Sequence, residues 1–241
     1  MNKRNLIFIY IIMVLCVFAL SGCSGAKGYE GEDVVDRAKQ HHTDLEAASI
    51  SVQDRNTGVI VQEIDYRFVG DIMQYMYIGR DAETGEEYYE FNNGTELDTW
   101  HTGDTAWTGV AKGNEGFYNY SRVKRHYFSD GALLLNDYAS AVKSASTNYE
   151  RGDTKVVKVV KIEYDDAVIS QNEQMSGVTG YRQEYWINVT QGSSECDSCY
   201  VDYTKDGKTY SYWIKIDSRD PGETIERAEP AELTSAAGTE Q

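Results

Sequence analysis

Proline is scarce in this sequence: only 2 of the 241 residues are proline, while aromatic residues make up 12% and tyrosine occupies 19 positions. Proline interrupts the hydrogen bonding of strands, whereas tyrosine favours them. This composition is typical of a strand-rich fold with many half-buried, amphipathic side chains. Cysteine is also rare, with 4 residues, but a chain of this length can build a sizeable core without disulfide bonds.

The sequence lacks the short motifs that mark common catalytic sites. GxSxG, the P-loop and GxGxxG are all missing, and no histidine and glutamate pair has the spacing of a zinc protease. His41 and His42 are adjacent, so their side chains would diverge by about 100° on a helix. Glu86 and Glu87 are also adjacent, so they point to opposite strand faces or lie in a turn and form no acid and base pair across a substrate. We therefore expect no catalysis, no metal site and no cofactor.

Basic residues are in short supply, with 23 lysine and arginine residues against 39 aspartate and glutamate residues and a net charge of −16 at pH 7. A surface of this sign repels nucleic acid, anionic lipid headgroups and anionic cell-wall polymers. The charge therefore predicts no nucleic-acid partner. The partners that remain are neutral, apolar or basic.

One long apolar run is present, from Leu6 to Leu20, and it follows Lys3 and Arg4. The run ends in Leu-Ser-Gly-Cys23, which resembles the lipobox of bacterial lipoproteins. We interpret residues 1–22 as a signal peptide and Cys23 as a first mature residue that carries a diacylglyceryl thioether and acyl chains such as palmitate. A secretory signal cleaved without lipid and an uncleaved transmembrane helix are the alternatives. The lipobox interpretation places the protein on the extracytoplasmic face of the cell membrane, held by its lipid anchor.

The rest of the chain divides into a tether, one domain and a tail. Residues 23–31 contain three glycines and predict a short lipidated tether. Residues 32–228 predict a single domain, and residues 229–241 predict a disordered tail. Apolar residues at helical spacing predict a first helix from Glu32 to Ala48 and a second from Ala132 to Tyr149.

Alternation of apolar and polar residues predicts about eleven short antiparallel strands. In the clearest of them, Ile64 and Phe68 lie on one face and charged residues lie on the other. Asn93-Gly94 and Asp206-Gly207 predict tight hairpin turns. The segment Ile72–Ile78 is apolar on both faces, which indicates that another part of the chain covers its second side.

Cys196 and Cys199 are the cysteines that remain after the signal peptide and the lipidated residue are set aside. In an extracytoplasmic setting this pair predicts a structural disulfide, in a loop between two late strands. Free thiols are one alternative, and redox or metal chemistry is another. A redox cysteine normally lies at a helix N-terminus, and Asp197 disfavours a thiolate.

The element order resembles the LolA/LolB lipoprotein-carrier superfamily, which includes the mycobacterial LppX/LprG type. The resemblance covers residues 32–228 and is also carried by the segments Glu87–Gly94 and Ser129–Leu134. It implies a mainly β (α+β) fold, in which a curved antiparallel sheet forms an unclosed half-barrel with an N-terminal helix and a helix inserted after the first meander. In that family, helices plug the concave side, and the apolar hollow receives acyl chains or serves a protein contact.

Two functions follow from the resemblance and from the apolar strand faces. One is binding of an apolar ligand, a lipid or an acylated molecule, in the hollow of a membrane-anchored lipoprotein without catalysis. The other is a protein-interaction or envelope-sensing module, in which the same sheet contacts an envelope protein. An ordinary core sealed by the two helices is the alternative interpretation of the apolar faces. The residues expected to line the hollow are Tyr66, Phe68, Met73, Tyr75, Tyr77, Tyr89, Phe91, Tyr185, Ile187, Tyr212 and Ile214.

Overall fold

The computed structural model describes residues 28–119, 138–231 and 233. The predicted signal peptide, Cys23, most of the predicted tether and the first part of the predicted second helix lie outside these residues. Three single-turn 3-10 segments, at Ala139–Ala141, Glu173–Met175 and Thr190–Gly192, accompany the main elements. The main elements are α1 (Glu32–Asp44), β1 (Ala47–Asp54), β2 (Ile60–Val69), β3 (Ile72–Arg80), β4 (Glu87–Asn92), β5 (Glu96–His101), β6 (Thr108–Ala111), β7 (Val142–Arg151), β8 (Val156–Tyr164), α2 (Asp166–Ile169), β9 (Val178–Asn188), β10 (Glu195–Lys205) and β11 (Lys208–Ser218).

The strands form one antiparallel sheet in the order β6-β5-β4-β3-β2-β1-β11-β10-β9-β8-β7. Apart from β6 and β7, strands that follow each other in the chain pair with each other, and β1 also pairs with β11. Among the described residues, the sheet ends at β6 and β7. This order is that of an up-and-down barrel opened between two consecutive strands. The predicted fold class, a mainly β chain with a curved and unclosed eleven-stranded sheet, is confirmed.

Period-two alternation explains the strands at the centre of the sheet. In β2, Ile64, Tyr66 and Phe68 are buried on the concave face, while the residues between them are more exposed and polar. The β10–β11 hairpin turns through Asp206 and Gly207, whose φ angles are 52° and 77°. Both turn residues have positive φ, as a two-residue turn matched to the strand twist requires.

Helix α1 begins after Gly31, whose φ of 88° is left-handed, and it ends at Asp44. The predicted end at Ala48 is wrong because Ala47 and Ala48 pair with β2 as the start of β1. Buried residues of α1, including Val35, pack against the concave faces of β9 and β10. The helix therefore covers one end of the concave side.

The predicted second helix is wrong over its described part. Residues 142–149 belong to β7, which pairs with β8 from Val142 opposite Tyr164 to Arg151 opposite Val156. Because β7 is an edge strand with both faces largely exposed, its sequence has no clear alternation. Pairing with β8 therefore determines the conformation of β7, even though its apolar residues have helical spacing.

The chain after β11 crosses the convex face of the sheet. We call residues 219–231 and 233 the C-terminal strap. Ile225, Ala228 and Leu233 pack over a cluster of Met76, Tyr89 and Trp100. This contact confirms the expectation that the second face of Ile72–Ile78 is covered.

Polar contacts fasten the C-terminal strap near the edge of the sheet. Arg227 Nη1 lies 2.8 Å from Asp98 Oδ2, and Trp107 Nε1 donates to Glu229 Oε2 at 3.1 Å. Pro230 is buried. These contacts place Glu229 and Pro230, the first residues of the predicted tail, against the rest of the domain, while residues 234–241 of that tail lie outside the described residues.

Candidate functional site

The concave face holds nine of the eleven residues expected to line the hollow. Seven of them, on β2, β3, β9 and β11, are buried together in one apolar cluster that also contains α1. Tyr77 and Tyr212 are only partly buried and pack at the margin of this cluster. The centre of the hollow is therefore filled by side chains, and open space lies beside these two tyrosines. The seven buried residues are Tyr66, Phe68, Met73, Tyr75, Tyr185, Ile187 and Ile214.

Tyr89 and Phe91 lie on the convex face, so their assignment to the hollow is wrong. Tyr89 pairs with Ile78 on β3 and with Trp100 on β5, and Phe91 packs on the same convex cluster. The residues that β4 presents to the concave side are Tyr88, Glu90 and Asn92. The error arises because the strap covers the convex face, so this part of the sheet carries apolar residues on both faces.

Tyrosines line the concave face at the end of the sheet away from α1. Their rings form a chain of contacts, with centroid separations of 5.2 Å between Tyr164 and Tyr181 and 4.9 Å between Tyr203 and Tyr210. Each is near the end of its strand, and antiparallel pairing brings these strand ends to the same side. We call this set the tyrosine belt: Tyr77, Tyr88, Tyr164, Tyr181, Tyr203, Tyr210 and Tyr212.

The tyrosine belt has a gap in front of β1 and β2, between Tyr77 and Tyr212. A cleft of about 700 Å³ occupies this gap. The size is in the range of small-molecule sites. We refer to this space as the cleft. Its lining is Asp54, Asn56, Thr57, Val61, Gln62, Tyr77, Gly79, Arg80, Asp81, Ala82, Glu83, Lys208, Thr209, Tyr210 and Tyr212.

Two hairpins meet over the cleft. Lys208, in the β10–β11 hairpin, forms an ion pair with Glu83 in the β3–β4 hairpin. The strands β1 and β2 lie between these hairpins in the sheet, so the contact reflects the curvature of the half-barrel. Both side chains are exposed, and an ion pair of this kind contributes little to stability because solvent screens it. The hairpins are therefore in contact without being firmly locked.

A buried carboxylate on the concave face was not anticipated from the sequence. Glu90 is 4% exposed and accepts hydrogen bonds from the hydroxyls of Tyr75, Tyr88 and Tyr118, the last at 2.5 Å. Burial, together with the hydrogen bond to Glu90, raises the pKa of Tyr88. The Tyr118 carbonyl accepts a hydrogen bond from Asn92 Nδ2 at 2.9 Å. These contacts offset the desolvation of the carboxylate and fix the chain after β6 onto β4.

Cys196 and Cys199 lie within β10, and both are free thiols. An extra residue at Asp197 makes a β-bulge, which puts the two cysteines opposite Ile187 and Tyr185 on the concave face. Successive inward positions of one strand are roughly 6.6 Å apart and project in parallel. A disulfide requires Cβ atoms only about 3.8 Å apart. The structure therefore corrects both the predicted loop and the predicted disulfide.

Burial disfavours the thiolate form of both cysteines. It raises the pKa of Cys196 to about 12, with a further contribution from Asp197, and it raises the pKa of Cys199 well above its usual value. Since an unfolded thiol ionises at about pH 8.5, the unfolded state loses these protons first as the pH rises. We expect the free energy of unfolding to decrease from about pH 8.5 to about 12, with the thiol contribution fully present below this window.

Alkylation tests the state of the two thiols. At pH 8, iodoacetamide should modify both cysteines quickly in denaturant and at least about tenfold more slowly in the native protein, because a thiolate is needed. Intact mass before and after the reaction gives the number of modified cysteines. Rapid modification of the native protein, or an unreduced mass lighter by two hydrogens, would contradict the free and buried state.

The described residues give no metal or membrane-spanning element. Over residues 28–119, 138–231 and 233, no group of three or more His, Cys, Asp and Glu side chains is placed to hold a metal ion. His42 is a buried residue of α1, and His41 Nε2 lies 4.0 Å from Glu195 Oε1. No helix in the same residues is long and apolar enough to cross a membrane.

The fold is similar to that of two solved mycobacterial proteins, LprF and LppX, so the resemblance seen in the sequence is confirmed at the level of the fold. LprF from Mycobacterium bovis is 14% identical, with a TM-score of 0.51 over 82% of this chain and 96% of that chain. The lipoprotein LppX from Mycobacterium tuberculosis is 10% identical, with a TM-score of 0.50 over 80% of this chain and 97% of that chain. No family model and no curated protein sequence matches the chain.

Proposed function

We propose that this chain is a membrane-anchored, extracytoplasmic lipoprotein that binds an apolar ligand, a lipid or an acylated molecule, without catalysis. The observation that carries the proposal is the cleft in the tyrosine belt. Tyr77, Tyr210 and Tyr212 give it apolar ring surface, while their hydroxyls tolerate water at its opening. A site of this kind holds an acyl chain against rings and leaves a polar head at the rim.

The N-terminal sequence supports the proposed location. The apolar run from Leu6 to Leu20 and the lipobox-like end at Cys23 predict processing and acylation. LppX is a mycobacterial lipoprotein. Together with the shared fold, these features support an anchored protein that faces away from the cytoplasm.

A protein-interaction or envelope-sensing role is the second candidate, and a convex aromatic surface favours it. Trp186, Tyr200 and Trp213 are half-buried neighbours on β9, β10 and β11, with ring centroids 6.2 Å and 5.8 Å apart. Arg55 lies 4.7 Å over the Tyr200 ring. Tryptophan, tyrosine and arginine are the residues enriched at binding hot spots. The filled centre of the hollow also fits this candidate, because a packed sheet offers its outer surface.

Filling the cleft separates the two candidates. Gly79 lines the cleft on the concave face of β3, and a side chain there would enter the cleft near the Tyr77 hydroxyl. We expect Gly79→Leu to reduce binding of a fluorescent fatty-alcohol probe at least about tenfold, since the probe and the new side chain compete for one volume.

Gly152→Leu is the matched control, because Gly152 lies in the β7–β8 turn with only ordinary contact to the Lys155 carbonyl. It should bind the probe like the wild type. Circular dichroism establishes that both variants are folded. Equal probe binding by wild type and a folded Gly79→Leu would reject the cleft as the ligand site and favour the interaction role.

A further inference from the structure

The two cations that line the cleft are each engaged by carboxylates. Lys208 is paired with Glu83. Arg80 is held by Glu63 and by Glu87, whose Oε1 lies 2.7 Å from Arg80 Nε. Within the described residues, each cation that lines the cleft therefore already has a carboxylate partner.

Two further carboxylates at the rim are fixed by their own turns. Asp54 Oδ1 accepts the backbone N–H of Asn56 at 2.7 Å. Asp81 Oδ1 accepts the N–H groups of Thr84 at 2.7 Å and Glu83 at 2.8 Å. These bonds lower the pKa of Asp81, with the Thr84 contribution the largest. Both turns hold a carboxylate at the rim, and one of the two amide N–H donors of Asn56 is bound to the Thr209 carbonyl, with Nδ2 and the carbonyl oxygen 3.2 Å apart.

The rim is thus rich in hydrogen-bond acceptors and negative charge, while the rings behind it are apolar. We propose that the cleft selects apolar ligands whose head is an uncharged or cationic hydrogen-bond donor and rejects ligands with an anionic head. This inference rests on the proposed function. The acyl part packs on the rings of Tyr77, Tyr210 and Tyr212, and the head donates to Asp54 and Asp81. A carboxylate or phosphate head would face two like charges, while the two cations of the cleft already pair with other carboxylates.

Three probes with the same fluorescent acyl chain test the selection, one ending in an alcohol, one in an amine and one in a carboxylate. With the full-length protein at low ionic strength, we expect the carboxylate probe to bind about tenfold more weakly than the alcohol probe. The amine probe should bind at least as tightly as the alcohol. Raising the salt concentration should narrow these differences, since exposed charges are screened.

The double variant Asp54→Asn with Asp81→Asn removes the two rim charges and keeps a side-chain oxygen for each turn. It should bring carboxylate binding to within about threefold of alcohol binding, since the like charges are gone. Asp104→Asn with Asp153→Asn is the control pair, because it makes the same change in net charge at two turns outside the cleft. This control should keep the wild-type selectivity.

The outcomes distinguish the selection from the function itself. If no probe binds, the proposed function fails and the selection fails with it. If all three probes bind equally well to the wild type, the ligand site stands and the charge selection is wrong. If the control pair relaxes selectivity as much as the rim pair, overall charge controls binding and the assignment to Asp54 and Asp81 is overturned.

Discussion

Cys23→Ala is expected to leave the membrane fraction almost empty of processed protein, with the chain either released or retained only as an unprocessed precursor. Each buried CH₂ contributes about 0.8 kcal/mol, so two acyl chains hold a protein stably, whereas their loss removes the anchor. Beyond the N-terminal run, the sequence has no apolar stretch of about 18 residues that could replace it. The net negative charge also opposes adsorption to anionic lipid.

Cys16→Ala is the matched control, since it changes another cysteine of the N-terminal segment outside the lipobox-like end. This variant should be processed and retained like the wild type. Membrane fractionation with detergent partitioning, followed by intact mass, measures location and acylation together. A processed Cys23→Ala protein that stays fully in the membrane would show that another element holds it.

Tyr185→Ala is expected to lower the free energy of unfolding by about 3–5 kcal/mol, as for other large aromatic truncations in cores. Tyr185 is fully buried at the centre of the concave cluster, opposite Cys199 on β10 and Val160 on β8. Its loss leaves a cavity among the side chains that join α1 to the sheet. Domains have only about 5–15 kcal/mol of stability, so this loss removes a large share of it.

Tyr149→Ala is the control for this substitution, because Tyr149 lies on the edge strand β7 and is 54% exposed. It should change stability by less than about 0.5 kcal/mol. Urea unfolding of both variants gives the comparison. A Tyr185→Ala protein as stable as the control would mean that the concave cluster does not form the core of the domain.

The sheet could be predicted because apolar and polar residues alternate clearly in strands that bury one face. Strands β2 and β3 follow their apolar positions closely, and Asp206-Gly207 predicts a turn that needs two positive φ angles. Edge strand β7 could not be predicted in this way. Its two faces are both exposed, so its conformation depends on pairing with β8, which is a long-range interaction that local spacing does not encode.

The site was harder to predict because the alternation of apolar and polar residues in a strand does not show which face of the sheet is concave. Tyr89 and Phe91 alternate correctly, but the C-terminal strap buries the convex face as well. The bulge at Asp197 likewise changes which side chains of β10 share a face. No residue type in this segment predicts the bulge. The position of Glu90 could have been predicted, since the period of two places it on the same face as Tyr88 and opposite Tyr89 and Phe91.

Native mass spectrometry of the full-length protein, after mild detergent extraction from its own membrane, shows whether the half-barrel binds an apolar ligand. We expect a bound mass beyond that of the acylated chain, which organic solvent releases as a lipid or acylated molecule and which the Gly79→Leu variant lacks. A wild-type protein that carries only its covalent acyl chains, and that takes up no added fatty alcohol or lipid, would contradict this expectation.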